Sequence, residues 1–191
     1  MKRVIFPKAM AHPLGSAEQS EPAPTSAVLD LDEVFRAYAG YVATIVLRIL
    51  GQRDEVEDVV QDVFLSALGS LPRLRDPAAL KGWLAAIAVR RASDRLRHRR
   101  LLLLLRLTRA AEPDPLPREA SPEVKALCAH LYRCLEQVPV AQRVAWTLRH
   151  LEGERLEVVA QLCGCSLATV KRRIAAAQVA LMMATEDGHD G

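Results

Sequence analysis

The residues with the clearest capacity for chemistry are hydroxyl and cationic side chains close to the end of the chain. They are Ser166, Thr169, Lys171, Arg172 and Arg173. Hydroxyls and cations at a helix start can contact phosphates together with the helix amides, and arginine can read guanine edges in the major groove. These side chains open a predicted helix over 167–183, which follows a short helix over 154–163 and a turn that contains Gly164. The pattern is typical of a helix-turn-helix and predicts a DNA-reading unit, with an ordinary basic helical hairpin as the alternative.

A second candidate surface is an acidic stripe on a predicted helix over 54–67. Asp54, Asp58 and Asp62 follow one another at four-residue steps and therefore line one face. Like charges at this spacing destabilise an isolated helix by a few tenths of a kcal/mol per pair, and the segment has few cations nearby, so a basic partner best explains the stripe. The carboxylates could instead bind a metal or act as an acid/base pair, but the segment has no histidine and no Glu-x-x-His motif.

The third candidate surface is basic. Residues 77–109 carry nine lysines and arginines against the single acid Asp94, whereas residues 30–76 carry five arginines against nine acids. This separation suggests one surface for a polyanion and another for a basic partner, although two solvated helix faces would have the same composition. Trp83 could stack on an unpaired base while the arginines hold phosphates, or it could be a core residue. The arginines are Arg90, Arg91, Arg95, Arg97, Arg99 and Arg100.

Apolar spacing and helix-breaking residues predict an all-α chain with two small helical domains. Apolar residues at three- and four-residue steps predict helices, and Asp76 followed by Pro77 is a start signal for a third helix that runs to about 107. Four prolines between 113 and 122 indicate an extended linker, after which further helices start near Ser121 and Pro139. The predicted organisation is a disordered extension at 1–29, a first domain at 30–107, a Pro-rich linker at 108–121, a second domain at 122–183 and a tail at 184–191.

Composition restricts the class of protein. The 191 residues, 50% hydrophobic and 26% charged, suit one medium domain or two small ones. The longest apolar run is the five leucines at 101–105, far short of the roughly 20 residues that span a membrane, and no secretory signal core is present, so we expect a cytoplasmic protein. There the four cysteines should be reduced. Their spacing does not match a zinc site, although His130 and His150 lie near in sequence, so we expect no metal and no cofactor.

The three features in this order resemble a sigma factor of the extracytoplasmic-function (ECF) type in the sigma-70 family, over about residues 31–183. Residues 57–65 resemble the region-two motif E-D-x-V-Q-[ED]-x-F, which implies docking on the clamp helices of core RNA polymerase. Residues 83–97 match the pattern W-L-x-x-I-A…D-x-L-R, which implies recognition and melting of the promoter minus-10 element. Residues 135–173 resemble the region-four helix-turn-helix, which implies contacts to the minus-35 element and the polymerase flap.

The resemblance assigns candidate roles to individual residues. The implied polymerase-binding residues are Glu57, Asp58, Gln61, Asp62 and Phe64. The implied DNA-binding residues are Trp83, Arg90, Arg91, Arg95, Arg97, Ser166, Thr169, Lys171, Arg172 and Arg173.

The chain also departs from the family pattern. Arg90 stands where the family often has asparagine, and Ala85, Ala86 and Val89 stand where it tends to have polar or basic residues. These departures leave the promoter preference open. Two further positions, Ala176 and Gln178, usually carry arginines that meet DNA phosphates, so we expect weaker minus-35 binding than is usual and a shallower salt dependence.

We therefore interpret the chain as a transcription initiation factor that is not an enzyme and whose partners are core RNA polymerase, promoter DNA and an anti-sigma factor, without membrane insertion. The leucines at 101–105 are a candidate surface for the anti-sigma factor, with packing between domains as the alternative. The rival interpretation is a self-sufficient helix-turn-helix regulator in which residues 30–107 form a dimerisation or sensing bundle. The motif at 57–65 beside the basic helix favours the first interpretation. Whether the two halves of the free chain pack together is left open.

Overall fold

The computed structural model describes residues 31–71, 74, 76–108, 112–116 and 120–186. Within these ranges the chain forms seven α-helices and no strand, which confirms the all-α prediction. The helices are α1 Leu31–Leu50, α2 Val56–Leu68, α3 Leu80–Leu104, α4 Pro122–Gln137, α5 Val140–His150, α6 Leu156–Leu162 and α7 Leu167–Glu186. The predicted extension at 1–29, parts of the predicted linker and the last five residues of the predicted tail lie outside the described residues.

Helix starts follow the capping signals in the sequence. Asp76 accepts a hydrogen bond from the amide of Ala78 at 2.9 Å and begins a 3-10 turn, Pro77–Ala79, that leads directly into α3. Ser121 caps α4 in the same way, because its hydroxyl accepts from the amide of Val124 at 3.4 Å. Both caps satisfy amides that have no partner inside the helix.

Helix ends depend on glycines with positive φ. Gly51 ends α1 with φ of +71°, and Gly164 takes φ of +59° in the turn between α6 and α7, a region that side chains with a Cβ rarely adopt. The last helix is longer than predicted, since α7 continues to Glu186, inside the predicted tail. Its apolar positions Ala177 and Leu181 are buried, and this anchoring keeps the helix continuous.

The helices form two bundles. α1, α2 and α3 contact one another in the first bundle, and α7 contacts α4, α5 and α6 in the second. The second bundle has its own core around Trp146, which is fully buried and donates its indole N–H to Gln178 Oε1 at 2.9 Å.

The two bundles also share a core. Val144 and Leu148 of α5 and Val159 of α6 belong to the same buried cluster as the apolar residues of α1, α2 and α3. Accordingly, α3 contacts both α5 and α6, and α1 contacts α5. The free chain is therefore closed, with its two halves packed together at what we call the junction: α1 and α3 on one side, α4, α5 and α6 on the other.

Candidate protein and nucleic-acid interfaces

The outer face of α2 carries most of the predicted polymerase-binding residues. Glu57, Asp58, Gln61 and Asp62 are all exposed, while the opposite face of the helix packs on α1 and α3. Phe64 differs, because only 4% of its surface is exposed and its ring packs edge-on against Phe35 with centroids 4.8 Å apart. The Phe64 side chain therefore packs beneath this face and is too buried to contact a partner in this structure.

Two leucines on the same face were missed by the sequence analysis. Leu65 and Leu68 are 68% and 53% exposed. They follow Gln61 at four and seven residues along α2, so they lie on the same face as the acidic residues. The sequence did contain a signal for these leucines, because residues four and seven positions after a polar residue lie on the same face of a helix. An apolar centre with a polar, solvent-accessible rim is the usual composition of a protein interface.

The acidic and basic surfaces meet along the border between α2 and α3. Arg95 Nε lies 3.2 Å from Glu55 Oε2, and Arg95 Nη2 lies 3.5 Å from Asp58 Oδ2. Arg91 donates to Ser66 Oγ from Nε at 3.0 Å. The acidic segment itself has few cations, but α3 brings Arg95 and Arg91 to its border in the folded chain. Asp62 has no ion pair within the part of the chain that the structure describes.

Three of the predicted DNA-binding residues lie on one exposed face of α3. Trp83, Arg90 and Arg97 follow at seven-residue steps, so they share one side of the helix. Trp83 is half-buried against the core of the first bundle, and Arg90 is exposed. Arg97 forms an ion pair with Asp94 one turn earlier. This side combines an aromatic surface with guanidinium groups, the combination that suits an unpaired nucleic-acid strand.

The turn between α6 and α7 has the geometry of a helix-turn-helix. The amide of Cys165 donates to Ala160 O at 3.0 Å and that of Gly164 donates to Gln161 O at 3.1 Å, which ends α6. Ser166 Oγ then accepts from the amide of Thr169 at 3.2 Å, so it caps α7. The predicted DNA-reading helix therefore starts from a fixed turn.

The cations of α7 differ in availability. Lys171 and Arg172 are exposed, whereas Arg173 is half-buried and leans back on the turn, where its Nη1 donates to Cys165 Sγ at 3.4 Å. Of the three predicted DNA-binding cations on α7, Lys171 and Arg172 are therefore the most exposed. Gln178, which stands where the family usually has an arginine, instead accepts the indole N–H of the buried Trp146.

The described residues contain no group of three or more histidine, cysteine, aspartate or glutamate side chains placed to hold a metal ion. Burial raises the pKa of the Cys163 thiol to about 11, so this thiol is protonated at neutral pH. No helix in the described part of the chain is long and apolar enough to cross a membrane.

The leucine run at the end of α3 is mostly uncovered. Leu101, Leu104 and Leu105 are exposed, and so is Leu107 beyond the helix end, whereas the leucines at 102 and 103 are half-buried. Packing between the two halves therefore accounts for only part of the run.

Comparison with known families identifies the class of protein that this arrangement defines. The family description Sigma-70 region 2 matches residues 34–101, and Sigma-70, region 4 matches residues 129–181. The first match covers the bundle of α1, α2 and α3, and the second runs from within α4 to within α7.

Three individual relatives show to which kind of sigma factor the chain is similar. The chain is 33% identical over 138 residues to the probable RNA polymerase sigma-C factor of Mycobacterium bovis, covering 68% of this chain and 70% of that protein. It is 31% identical over 159 residues to the ECF RNA polymerase sigma-E factor of Escherichia coli, covering 75% and 80%. A probable sigma factor, RfaY, of Xanthomonas campestris is 34% identical over 143 residues, 72% of this chain, but the chain spans only 36% of that protein. The chain belongs to the ECF RNA polymerase sigma factors, which confirms the family predicted from the motifs.

Solved structures share the fold. One is the sigma factor RpoE in complex with the anti-sigma factor NepR from Bartonella quintana, with a TM-score of 0.61 and 21% identity over 85% of this chain and 99% of that chain. Another is CnrH in complex with the cytosolic domain of CnrY, with a TM-score of 0.55 and 24% identity over 84% and 89%. At this identity the likeness concerns the fold, and both region-two and region-four bundles are included.

Proposed function

We propose that this chain binds core RNA polymerase through the outer face of α2 and directs it to promoters, with α3 at the minus-10 element and α6 and α7 at the minus-35 element. The observation that carries the proposal is the exposed pair Leu65 and Leu68 among the α2 carboxylates. A helical bundle that acted alone would gain nothing from two exposed leucines, whereas a protein partner buries them.

The two kinds of side chain on α2 have different tasks in this proposal. The leucines supply the apolar contact that excludes water. Glu57, Asp62 and Gln61 at the rim set the orientation and select a basic partner surface. Phe64 keeps the leucines in place from the core, through its contact with Phe35.

DNA recognition is divided between the halves. Trp83, Arg90 and Arg97 would hold an opened strand by stacking and by phosphate contacts. Lys171 and Arg172 would contact duplex DNA from the start of α7, where the helix amides add to the attraction for phosphate. Ser166 and Thr169 orient the helix start, because the Ser166 hydroxyl is engaged as a cap.

The chain itself catalyses no step in this proposal, since polymerase performs the chemistry, and it acts in the cytoplasm, where polymerase and chromosome meet. An anti-sigma factor is the proposed regulatory partner. The exposed leucines of α3 at 101, 104 and 105 would give such a protein an apolar surface next to the arginines.

The deciding experiment is transcription by core polymerase from a pool of promoter fragments, with and without the chain. Asp62→Arg and Leu65→Arg should abolish both core binding and promoter-selective transcription, because each places a charge at the centre or rim of the interface. Glu123→Arg, an equal charge reversal at the exposed start of α4, is the matched control and should behave as wild type.

Two results would refute the proposal. If both α2 variants bind core polymerase as tightly as wild type, the α2 face is not the docking surface. If the unmodified chain binds promoter duplex tightly alone and never alters polymerase selectivity, it is a self-sufficient regulator instead.

A further inference from the structure

Three guanidinium groups converge on one small cavity of the folded chain. They belong to Arg99 and Arg100 in the last two turns of α3 and to Arg143 near the start of α5. The cavity has a volume of about 40 Å³, and one water molecule needs about 10–15 Å³ of such space. It therefore has room for about three water molecules, or for one compact polyatomic ion.

Arg143, the most buried of the three arginines, keeps a donor without a partner. Only 3% of this residue is exposed, and its Nη2 donates to Ile49 O at 2.9 Å and to Leu50 O at 3.0 Å. Its Nε is buried and has no hydrogen-bond partner among the described residues. An unpaired donor of a buried charged group costs free energy, so an acceptor that entered the cavity would be bound favourably.

The other two arginines also keep donors for a ligand. Arg99 donates to Gln52 Oε1 at 2.5 Å from Nη1 and to Leu50 O at 3.3 Å from Nη2. Arg100 donates to Val138 O from Nη1 over 3.5 Å, a long hydrogen bond. Each guanidinium has five N–H donors, so these bonds leave several unused. Because Arg100 is exposed, a ligand can reach the cavity from solvent.

The lining of the cavity carries more positive than negative charge. Its one carboxylate is Glu136, whose Oε1 lies 3.8 Å from Arg99 Nη2. Glu55 lies outside the lining, 4.0 Å from Arg99, and is closer to Arg95 at 3.2 Å. Burial, and then repulsion by Arg99, lower the pKa of Arg143 to about 10, so this side chain is still charged at neutral pH. Three cations thus line the cavity with one anion, an excess of two positive charges.

The rest of the lining is aliphatic. Leu96 and Leu103 come from α3, and Val138 and Val140 come from the connection between α4 and α5 and from the start of α5. Aliphatic walls keep the local dielectric low, which strengthens the attraction between an anion and the guanidinium groups. Water could satisfy the unused donors, but it would not offset the excess charge. An anion does both.

The donor set also selects the chemistry of the anion. A guanidinium is planar, and its fork of donors matches the paired oxygens of a phosphate or carboxylate. An excess of two positive charges favours a dianion, and a phosphate monoester carries about −1.5 to −2 at neutral pH. The small volume admits the oxyanion alone, so a larger molecule must project past Arg100 into solvent.

We propose that this cavity is a binding site for a dianionic oxyanion, either free phosphate or the phosphate group of a small phosphorylated molecule, held by Arg99, Arg100 and Arg143. Arg143 binds the oxyanion through its unpaired Nε, and the two arginines of α3 bind it from the other side. The site goes beyond the proposed function and does not depend on it, because it requires only the folded chain.

Isothermal titration calorimetry on the full chain tests the binding. The titrants are phosphate, sulfate, nitrate and adenosine monophosphate, with sodium chloride holding the ionic strength constant. Phosphate and sulfate should each saturate one site per chain, whereas nitrate, a monoanion, should bind roughly tenfold more weakly or less. Tighter binding of adenosine monophosphate than of phosphate supports a phosphorylated small molecule, and binding of phosphate alone supports the free ion. Absence of saturable binding by both phosphate and sulfate overturns the proposal.

Variants at the accessible edge of the cavity test its assignment. Arg100→Ala should weaken phosphate binding roughly tenfold, because it removes a charge-assisted donor, and Arg100→Lys, which keeps the charge without the fork, should lie between the two. Arg106→Ala removes an exposed arginine outside the lining and is the matched control, with wild-type affinity expected. Circular dichroism verifies that each variant retains its helices. Wild-type affinity in folded Arg100→Ala would remove this arginine from the site.

Heteronuclear NMR of the arginine side chains tests Arg143 without a substitution in the core. The Nε–H signal of Arg143 should shift as phosphate is added and should follow the same saturation curve as the heat of binding. If calorimetry reports binding while this signal stays in place, the anion binds elsewhere on the chain and the cavity is not the site.

Discussion

The two long helices that we propose to contact DNA, α3 and α7, are held in the fold in opposite ways. α3 is buried over more than half of its circumference, and Arg95 and Arg99 on it pair with carboxylates of α2, α4 and the segment between α1 and α2. α7 is anchored mainly through Val170, Ala177 and Leu181.

This difference separates two kinds of proposed binding site. The α7 surface is prepared in the closed chain, since its turn is fixed and Lys171 and Arg172 are exposed. The α3 surface is exposed only in part, because the helix packs on α1 and α2 and also on α5 and α6. We therefore expect duplex binding by α7 to need no rearrangement of the chain, because Lys171 and Arg172 are already exposed.

The largest expected effect is on the free energy of unfolding. It should differ between Trp146, which contacts α7, and Trp83, which lies on α3. Trp146→Ala removes a fully buried side chain and leaves Gln178 without its donor, so it should lower the free energy of unfolding by roughly 3–5 kcal/mol. Trp83→Ala on α3 removes a half-buried ring and should cost only about 1–2 kcal/mol. Chemical denaturation followed by circular dichroism measures both.

For promoter opening we expect the reverse order, with Trp83→Ala affected more than Trp146→Ala. Trp83→Ala should retain its fold and lose promoter opening, measured by permanganate reactivity of unpaired thymines. Equal losses of stability in the two variants would show that Trp83 is an ordinary core residue and would remove the contrast.

The next largest effect is the dependence of the closed-to-open ratio on pH. Burial, opposed in part by Arg48, raises the pKa of Glu152 to about 7, from an ordinary value of 4.5. Because the raised pKa belongs to the closed state, closure is strongest below about pH 4.5 and weakens as the pH rises toward 7. The closed-to-open ratio should fall by up to about tenfold per pH unit in this window, measured by scattering or by a fluorescence pair across the junction.

The titratable and charged groups around Glu152 provide a control for this pH prediction. Arg48 and Tyr41 come from α1, Tyr132 comes from α4, and Glu154 lies two residues on; the tyrosines have raised pKa values and do not titrate in this range. Glu152→Gln should flatten the pH profile, whereas Glu154→Gln should retain most of it. A profile that is unchanged in Glu152→Gln would assign the titration to another group.

A smaller effect concerns the exposed cations of α7. Lys171→Ala and Arg172→Ala should each weaken binding of minus-35 duplex by roughly tenfold and reduce the salt slope by about one unit. Arg173→Ala should cost less, because that guanidinium leans on Cys165 in the turn. Titrations at several salt concentrations measure all three, and an Arg173 variant as weak as the others would mean that this side chain turns toward DNA.

Local patterns in the sequence were enough to predict the helices and the family. Asp76 and Ser121 cap where they were expected to, because a cap depends on residues within one turn of itself. The region-two motif at 57–65 lies on one helix, so its spacing alone places Glu57, Asp58, Gln61 and Asp62 on an exposed face.

Features that depend on how helices face one another could not be predicted in this way. The burial of Phe64 depends on Phe35 of another helix, and the pairing of Arg95 with Glu55 depends on the packing of α3 against α2. The junction joins Arg143 to carbonyls more than ninety residues away along the chain. No periodicity within one segment contains that information.

The smallest predicted effect tests why α7 lacks two arginines. Gln178 is occupied by the indole of Trp146, so a Gln178→Arg change would mix lost stability with any gained phosphate contact. Ala176 is half-buried and has no such task, so Ala176→Arg alone is the informative variant. It should strengthen minus-35 duplex binding a few-fold at low salt and steepen the salt slope by about one unit. If Ala176→Arg binds as wild type, position 176 does not reach the phosphates, and the weak binding expected of this helix must have a cause other than the missing cation.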